Sequence, residues 1–371
     1  MLKRISTALI LSAISASVSA GWVYRVPLGM EFDISQAAAE APGDMTGISC
    51  YLYHCYGLRD GEIWSVGRNH RSQLGREGTT DQHTWGNTGV VADKVIAGYD
   101  HGYALKDGVI LVVGANDDGQ HGMGDTVQRS QWTSSGQSAD DLVAGGYHAY
   151  ILRSGSVWSA GHNGFGQLAR TGDTTVWVDT GFDATELAAG IYHGYALSGG
   201  TVWGVGYNGY GHFGIGSVSN SVSAWTNSGV SASKIASGTY HGYLIKDGKI
   251  WSAGRNDVGQ LGLNDKNDRT VWTDTGVAAS EVYGGAIHGY ALSGGNLLSV
   301  GYNAYGQLAR EGQSDQQTWG DTGYDVTEVY PGTHGAYFRI NDKLNAIGYN
   351  EFGQLGAGDV SHKLEMTEIS P

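Results

Sequence analysis

A chain of 371 residues holding 61 Gly, 4 Pro, 22 Tyr and 11 Trp has a β composition, because Gly weakens helices and aromatic side chains suit pleated strands. Its net charge of −14, with no run of Lys or Arg along it, argues against nucleic acid and acidic membranes as partners, since both are held by clustered cations.

In chain order, Lys3 and Arg4 precede an apolar, serine-dotted run from Ile5 to Val18 that ends Val18-Ser19-Ala20 before Gly21. A basic head, a short apolar stretch and small residues at the end predict a secretory signal peptide over residues 1–20, cleaved after Ala20. The run falls short of the ~20 apolar residues that cross a bilayer, and no later segment is long enough. The mature chain is therefore expected to be secreted or periplasmic, without a membrane span, and monomeric. Loss of Lys3 and Arg4 leaves it with 20 basic residues against 36 acidic. Residues 21–47 read as an N-terminal extension and 48–371 as one repeat domain.

Seven copies of a Gly-x-Asn motif carry Asn69, Asn116, Asn163, Asn208, Asn256, Asn303 and Asn350. Fifteen residues before each Asn stands His54, His101, His148, His193, His241 and His288; in the seventh copy His334 stands sixteen before. Trp85, Trp132, Trp177, Trp225, Trp272 and Trp319 follow on the same period, with Met366 in the seventh slot. From each Trp to the next Asn the distance is constant, so every length change lies between Asn and Trp, which marks a surface loop.

Within one unit, Ser233 to Ala236 predicts a strand, Gly238 to His241 a tight connection and Gly242 to Lys246 a second strand. Asp247-Gly248 predicts a two-residue hairpin turn with both φ values positive, repeated as Asp60-Gly61, Asp107-Gly108, Ser154-Gly155, Gly199-Gly200, Gly294-Gly295 and Asn341-Asp342. Ile250 to Gly254 and the Trp-centred Thr270 to Thr273 supply strands three and four. Seven such units predict an all-β, seven-bladed propeller of four-stranded antiparallel blades. The first unit lacks a Trp strand ahead of His54, so the strand near Lys363 to Ile369 is expected to complete the first blade and close the ring.

The segment from Gly254 to Gly262 (Gly-Arg-Asn-Asp-Val-Gly-Gln-Leu-Gly), preceded by Gly238 to Leu244, resembles the regulator of chromosome condensation repeat, as do Gly301 to Ala309 and Gly348 to Gly356. The likeness covers residues 48 to about 360. It implies a seven-bladed propeller but no single function, since members include an exchange factor for a small GTPase, a photoreceptor and an enzyme inhibitor. The photoreceptor's Trp two residues before the repeat His is replaced here by Leu52, Tyr99, Gly146, Ile191, Thr239 and Ala286.

The repeat His, Asn and Gln read as fasteners of the connections, the His bonding the backbone of the connection it ends. The Trp series reads as packing between blades. No metal site or cofactor is expected: symmetry spreads the His around the ring, and the acidic stretches Asp117-Asp118 and Asp265 to Asp268 lack the alternation of a calcium loop. No nucleophile set stands apart from the repeats and no phosphate loop opens a helix.

Function is expected at exposed positions that differ between units. One candidate surface is the set just before the repeat His, where Tyr53, Tyr147, Tyr192 and Tyr240 stand among Asp100, Ile287 and Thr333, with Tyr99 one residue earlier. A second is the loop tip after the repeat Asn, with Phe165, Tyr210, Tyr305 and Phe352 among charged neighbours. Cys50 and Cys55, the only two cysteines, flank the first connection and are expected to form a disulfide, with Cα atoms roughly 5.5 Å apart. The reading is an exported, non-enzymatic protein that binds a protein partner, as an inhibitor or cell-surface component. The alternatives are a multivalent lectin with a glycan partner and an exchange-factor-like effector delivered to a host.

Overall fold

The computed structural model describes residues 44–171 and 174–371; the expected signal peptide and nearly all of the expected N-terminal extension lie outside the described residues. Twenty-eight strands among them form seven four-stranded antiparallel sheets, a seven-bladed propeller. Blade 1 holds β1 (Thr46–Tyr51), β2 (His54–Arg59), β3 (Glu62–Gly67) and β4 (Gln82–Val91), in that order from the central channel outward. It begins two residues before the expected position 48. Blade 5, with β17 (Lys234–Ser237), β18 (His241–Lys246), β19 (Lys249–Gly254) and β20 (Arg269–Ala278), follows the sequence reading, except that its outer strand is longer than the Trp-centred segment. Both residues of the hairpin turn have positive φ, 50° and 75° at Asp107-Gly108 and 52° and 70° at Asp247-Gly248, as a type I′ turn requires.

The core is built from positions that recur. Two residues after each strand-two start lie Tyr56, Tyr103, Tyr150, Tyr195, Tyr243, Tyr290 and Tyr337, all buried. Their hydroxyls donate to carbonyls in the following loop, Tyr103 to Gln120 at 2.6 Å and Tyr195 to His212 at 2.8 Å. A Trp from the next blade packs on each of several of these rings, with centroid distances of 5.3 Å for Tyr56 and Trp132 and 5.4 Å for Tyr243 and Trp319. The Trp series thus lies between blades, and Met366 packs beside the cluster that holds Tyr290 and Phe338.

The repeat His rings do not fasten their own connections. Those connections are already satisfied by backbone bonds, Gly98 N–H to His101 O at 2.9 Å and Gly238 N–H to His241 O at 2.9 Å. In blades 2 to 6 the ring instead fills the space under the connection: a Cβ added to Gly98 would lie 2.2 Å from the His101 ring. Where a side-chain partner exists it belongs to the next blade, as for His193 Nε2 and Ser237 Oγ at 2.9 Å. Asn and Gln act as read. Asn256 Oδ1 accepts Leu261 N–H at 2.8 Å, its amide donates to Asp265 O at 2.9 Å, and Gln260 Oε1 accepts Val258 N–H at 3.0 Å.

The closure is different from the expectation. Blade 7, with β25 (Glu328–Pro331), β26 (Gly335–Ile340), β27 (Lys343–Gly348) and β28 (Lys363–Glu368), keeps the last strand in its own sheet, and blade 1 uses its own Trp85 strand. Each blade is one continuous stretch of chain, because the hairpin from strand three to strand four pairs them directly and no unit has a strand to lend. The ring is closed by side-chain packing and by hydrogen bonds between the first and last blades. Met45, Ile48, Cys55 and Trp85 share one core cluster with Tyr337, Leu344, Leu355 and Ile369. Arg339 donates to the Met45 carbonyl, Arg59 Nη1 to the Pro371 carbonyl at 2.7 Å, and Gly358 N–H to His83 O at 2.9 Å.

Candidate functional site

Strand two begins and strand three ends on the same face of the disc, so the residue before the repeat His and the residue inside Gly-x-Asn meet there. Arg68 N–H donates to Tyr53 O at 2.8 Å, His162 to Tyr147, Tyr207 to Tyr192 and Arg255 to Tyr240. The motif Gly makes this approach feasible: Gly254 has φ of 107°, and a Cβ there would stand 2.5 Å from Tyr240 O.

The two candidate surfaces are therefore one surface. The loop-tip aromatic of one blade packs on the pre-His Tyr of the next: Phe352 on Tyr53 at 4.6 Å between centroids, Phe165 on Tyr192 at 4.9 Å, Tyr210 on Tyr240 at 5.2 Å. Tyr99, Tyr147 and Tyr192 lean on one another as stacked rings, 5.1 and 5.6 Å apart with interplanar angles of 21° and 13°. Tyr305 does not meet a pre-His Tyr; it packs on Tyr349 and His362, which stack on each other.

His334 departs from the expected slot. Gly335 pairs with Gly348 where the other blades pair the repeat His with the motif Gly, so the sixteen-residue spacing pushes His334 out to the pre-His position and moves Thr333 one place further. Six His are repeat core, and the seventh belongs to the face, its ring 6.0 Å from Tyr305.

Sequence reasoning missed Tyr207, Tyr302, Tyr349 and His162, all at the middle of Gly-x-Asn, and also Tyr51 and His362. The signal was present, since that middle residue changes among Arg, Ala, His and Tyr from unit to unit while its two neighbours do not. Tyr51 stands where the other six blades have Gly98, Gly145, Gly190, Gly238, Gly285 and Gly332.

The aromatic run is broken by charge at blades 1 and 2. Arg68 lies over the rings of Tyr53 and Phe352, 5.1 and 5.4 Å from their centroids. Arg71 pairs with Asp117. Asp100 accepts from Gln73 Nε2 at 3.1 Å, with His70 Nε2 3.7 Å from its other oxygen. Burial pushes the Asp100 carboxyl up to about 6, against the pull of Arg68 and Arg71. Burial, then the neighbouring phenols Tyr192 and Tyr99, raise Tyr147 above its ordinary value. Among the described residues no three His, Cys, Asp or Glu side chains cluster as metal ligands. Cys50 and Cys55 face each other across β1 and β2 at bonding distance, with Cα atoms 4.2 Å apart. This is closer than the expected 5.5 Å, as suits a cross-strand pair without its own backbone bonds.

Neither a family model nor a curated protein matches the chain. Solved structures do match in fold. Human WBSCR16 aligns with a TM-score of 0.72 at 18% identity, over 84% of this chain and 94% of that one. Prp20p from Saccharomyces cerevisiae, described with its binding to Gsp1p and histones, aligns at 0.68 and 18% identity over 78% of this chain and 80% of its own. Yeast RCC1 (Prp20) bound to Kap60 gives the same score over 78% of each chain. The neighbours include RCC1 family proteins, and at this identity the likeness is one of fold.

Proposed function

We propose that the protein is an exported, non-enzymatic binding protein whose aromatic face holds a protein partner. The observation that carries this reading is the buttressing of Tyr53, Tyr192 and Tyr240 by Phe352, Phe165 and Tyr210, together with the stack from Tyr99 to Tyr192. Rings already held by neighbours lose little entropy when a partner arrives, and Tyr supplies apolar area with a hydroxyl at its tip. The Arg68, Arg71 and Asp100 break adds polar contacts that fix orientation.

A lectin would lay ring faces against sugars. Here the faces of Tyr99, Tyr147 and Tyr192 are turned on one another, which leaves less ring face for a sugar and suits a protein surface better. Binding to Gsp1p, histones and Kap60, named for the fold neighbours, supports a propeller as a platform for proteins. The basic, then apolar N-terminal sequence supports an encounter outside the cytoplasm.

The test is a pull-down with the mature chain from the producing organism's envelope and medium, repeated with Tyr53, Tyr147, Tyr192 and Tyr240 all changed to Ala. One partner near one-to-one stoichiometry is expected, with each Tyr contributing more than ~1 kcal/mol and the variant still folded. Binding that survives in the folded variant, or several equal weak sites on a glycan panel, would overturn the reading.

A further inference from the structure

The seven inner strands enclose a channel of about 650 Å³, within the size of small-ligand sites. Each inner strand, such as β17, is paired with another strand on one side only, so its other edge turns backbone N–H and C=O groups to the channel, some of them taken by side chains of the preceding blade, as Ala97 N–H is by Ser49 Oγ. Side chains such as Ile96, Val143 and Ala236 add apolar wall between them.

The two ends differ. On the aromatic face Tyr51 lines the channel where the other blades have Gly, its ring 6.3 Å from that of Tyr99. A collar of backbone bonds runs beside it, Thr239 N–H to Ala286 O at 3.0 Å and Ala286 N–H to Thr333 O at 3.2 Å, and Leu52 N–H reaches Thr333 Oγ1 at 2.6 Å. A bulky ring and this collar stand at that end. At the other end the inner strands start with charge: Lys94 and Asp141 pair, Lys234 and Glu281 pair at 3.3 Å, and Glu328 holds Arg339 at 2.6 Å. Glu186 stands apart. Its Oε1 accepts only the edge N–H of Ile235, at 3.2 Å, and no Lys or Arg among the described residues forms an ion pair with it. Burial raises its pKa, with the Ile235 N–H and then Lys234 only partly opposing and Glu281 adding to the rise.

We infer that the channel is a second binding site, taking a small amine with an apolar body, which enters from the charged face and leaves its ammonium at Glu186. The apolar body displaces water from the wall, the strand edges hydrogen-bond any polar groups, and the ammonium supplies the charge that Glu186 lacks. A neutral ligand would leave that half-buried carboxylate unpaired, and an anion would face it directly. The site lies at the far end of the channel from the aromatic face, so it stands or falls independently of the proposed partner.

The probes are naphthylethylamine, ethylnaphthalene and naphthylacetate, titrated into the full mature chain and read by naphthyl fluorescence and calorimetry. The amine should bind at least about tenfold more tightly than either analogue, the worth of roughly 1.4 kcal/mol. In Glu186→Gln that preference should vanish while ethylnaphthalene is unaffected, and Ala188→Trp, which fills the channel, should abolish all binding. Melting curves check that both variants fold. A crystal soaked with a brominated naphthylethylamine gives a reading that needs no variant, its bromine signal falling inside the channel. Equal binding of amine and acetate, an unchanged preference in folded Glu186→Gln, no binding by any probe, or bromine outside the channel would each overturn the site.

Discussion

Asn256 and Arg255 are consecutive in the chain and sit at the same end of the same strand, yet they belong to different parts of the molecule. Asn256 is wholly buried and repeats its bonds in other blades, as at Asn69 and Asn303. Arg255 is half-exposed, bonds Asp257 at 2.5 Å and lies 5.6 Å from the Tyr210 ring, and its place is taken by Arg68, Ala115, His162, Tyr207, Tyr302 and Tyr349 elsewhere. The difference teaches that scaffold and recognition divide between adjacent residues. Repetition holds wherever side chains turn into the blade interfaces, and variation begins at the first residue that turns to the face.

The strongest way to break the scaffold half without touching the face is acid. Burial lowers His54, His148, His241 and His288 to about 3, and puts His101 and His193 well below their ordinary value. Unfolded, each would titrate near 6.5. The folded pKa is depressed, so the unfolded chain binds more protons below pH 6.5, and stability present above that pH is lost progressively toward pH 3. Each His removes up to about 1.4 kcal/mol per pH unit. Six together exceed the ~5–15 kcal/mol of a typical fold before pH 3 is reached. Asp100, raised to about 6, works oppositely between its folded value and its ordinary 3.8, and offsets about one of them. Expected is a fall in urea midpoint that starts near pH 6.5, before carboxylates other than Asp100 titrate, ending in acid unfolding above pH 3. Near-ultraviolet circular dichroism unchanged at pH 3 would show that the rings tolerate charge.

A sharper test sets the two neighbours against each other. Asn256→Ala strands the buried Leu261 N–H, which costs about 2–3 kcal/mol and should lower the melting temperature while leaving partner affinity intact. Arg255→Ala removes an exposed pair worth at most about 1 kcal/mol, so stability should barely move while affinity falls. If both variants lose stability equally, the division between interior and face at this strand end is wrong.

The fold was legible because its signals are local and repeated seven times. Turn pairs such as Asp107-Gly108 announce their φ values, and Gly-x-Asn marks each strand-three end. Closure was not legible, because a repeat fixes the content of a blade but not the point at which one blade ends; the Trp85 and Lys363–Glu368 strands could serve either neighbour until pairing was seen. The site was half legible. Tyr53 and Phe352 each stood out as variable, but their contact crosses the seam between the chain's two ends, which no spacing reveals. His334 was misplaced because one extra residue between it and Asn350 looks like a loop change, whereas on a strand it turns the side chain to another environment. Tyr349 was hidden by lying inside a motif whose other members are structural.

The smallest expected effect lies at the one connection that departs from the rest, where blade 1 has Cys50, Tyr51 and Cys55 in place of the residues used elsewhere. The sulfurs join residues already registered across β1 and β2, with Tyr51 paired to His54. So short a loop restricts the unfolded chain little, and closing it contributes about 2 kcal/mol. Over a domain of this size that amounts to a melting shift of about 3 °C on reduction. The bond is expected to matter more for the face, because it holds the base of Tyr51 beside Tyr99 and the stack that follows. Reduction with dithiothreitol should therefore leave the fold in place and weaken partner binding by a larger factor than the stability change alone implies. Alkylation of the chain, unfolded without reductant, should find no free thiol. Two labelled cysteines would remove the staple from the argument, and a melting shift above about 10 °C would make it a determinant of folding, erasing the contrast between this connection and the six that do without it.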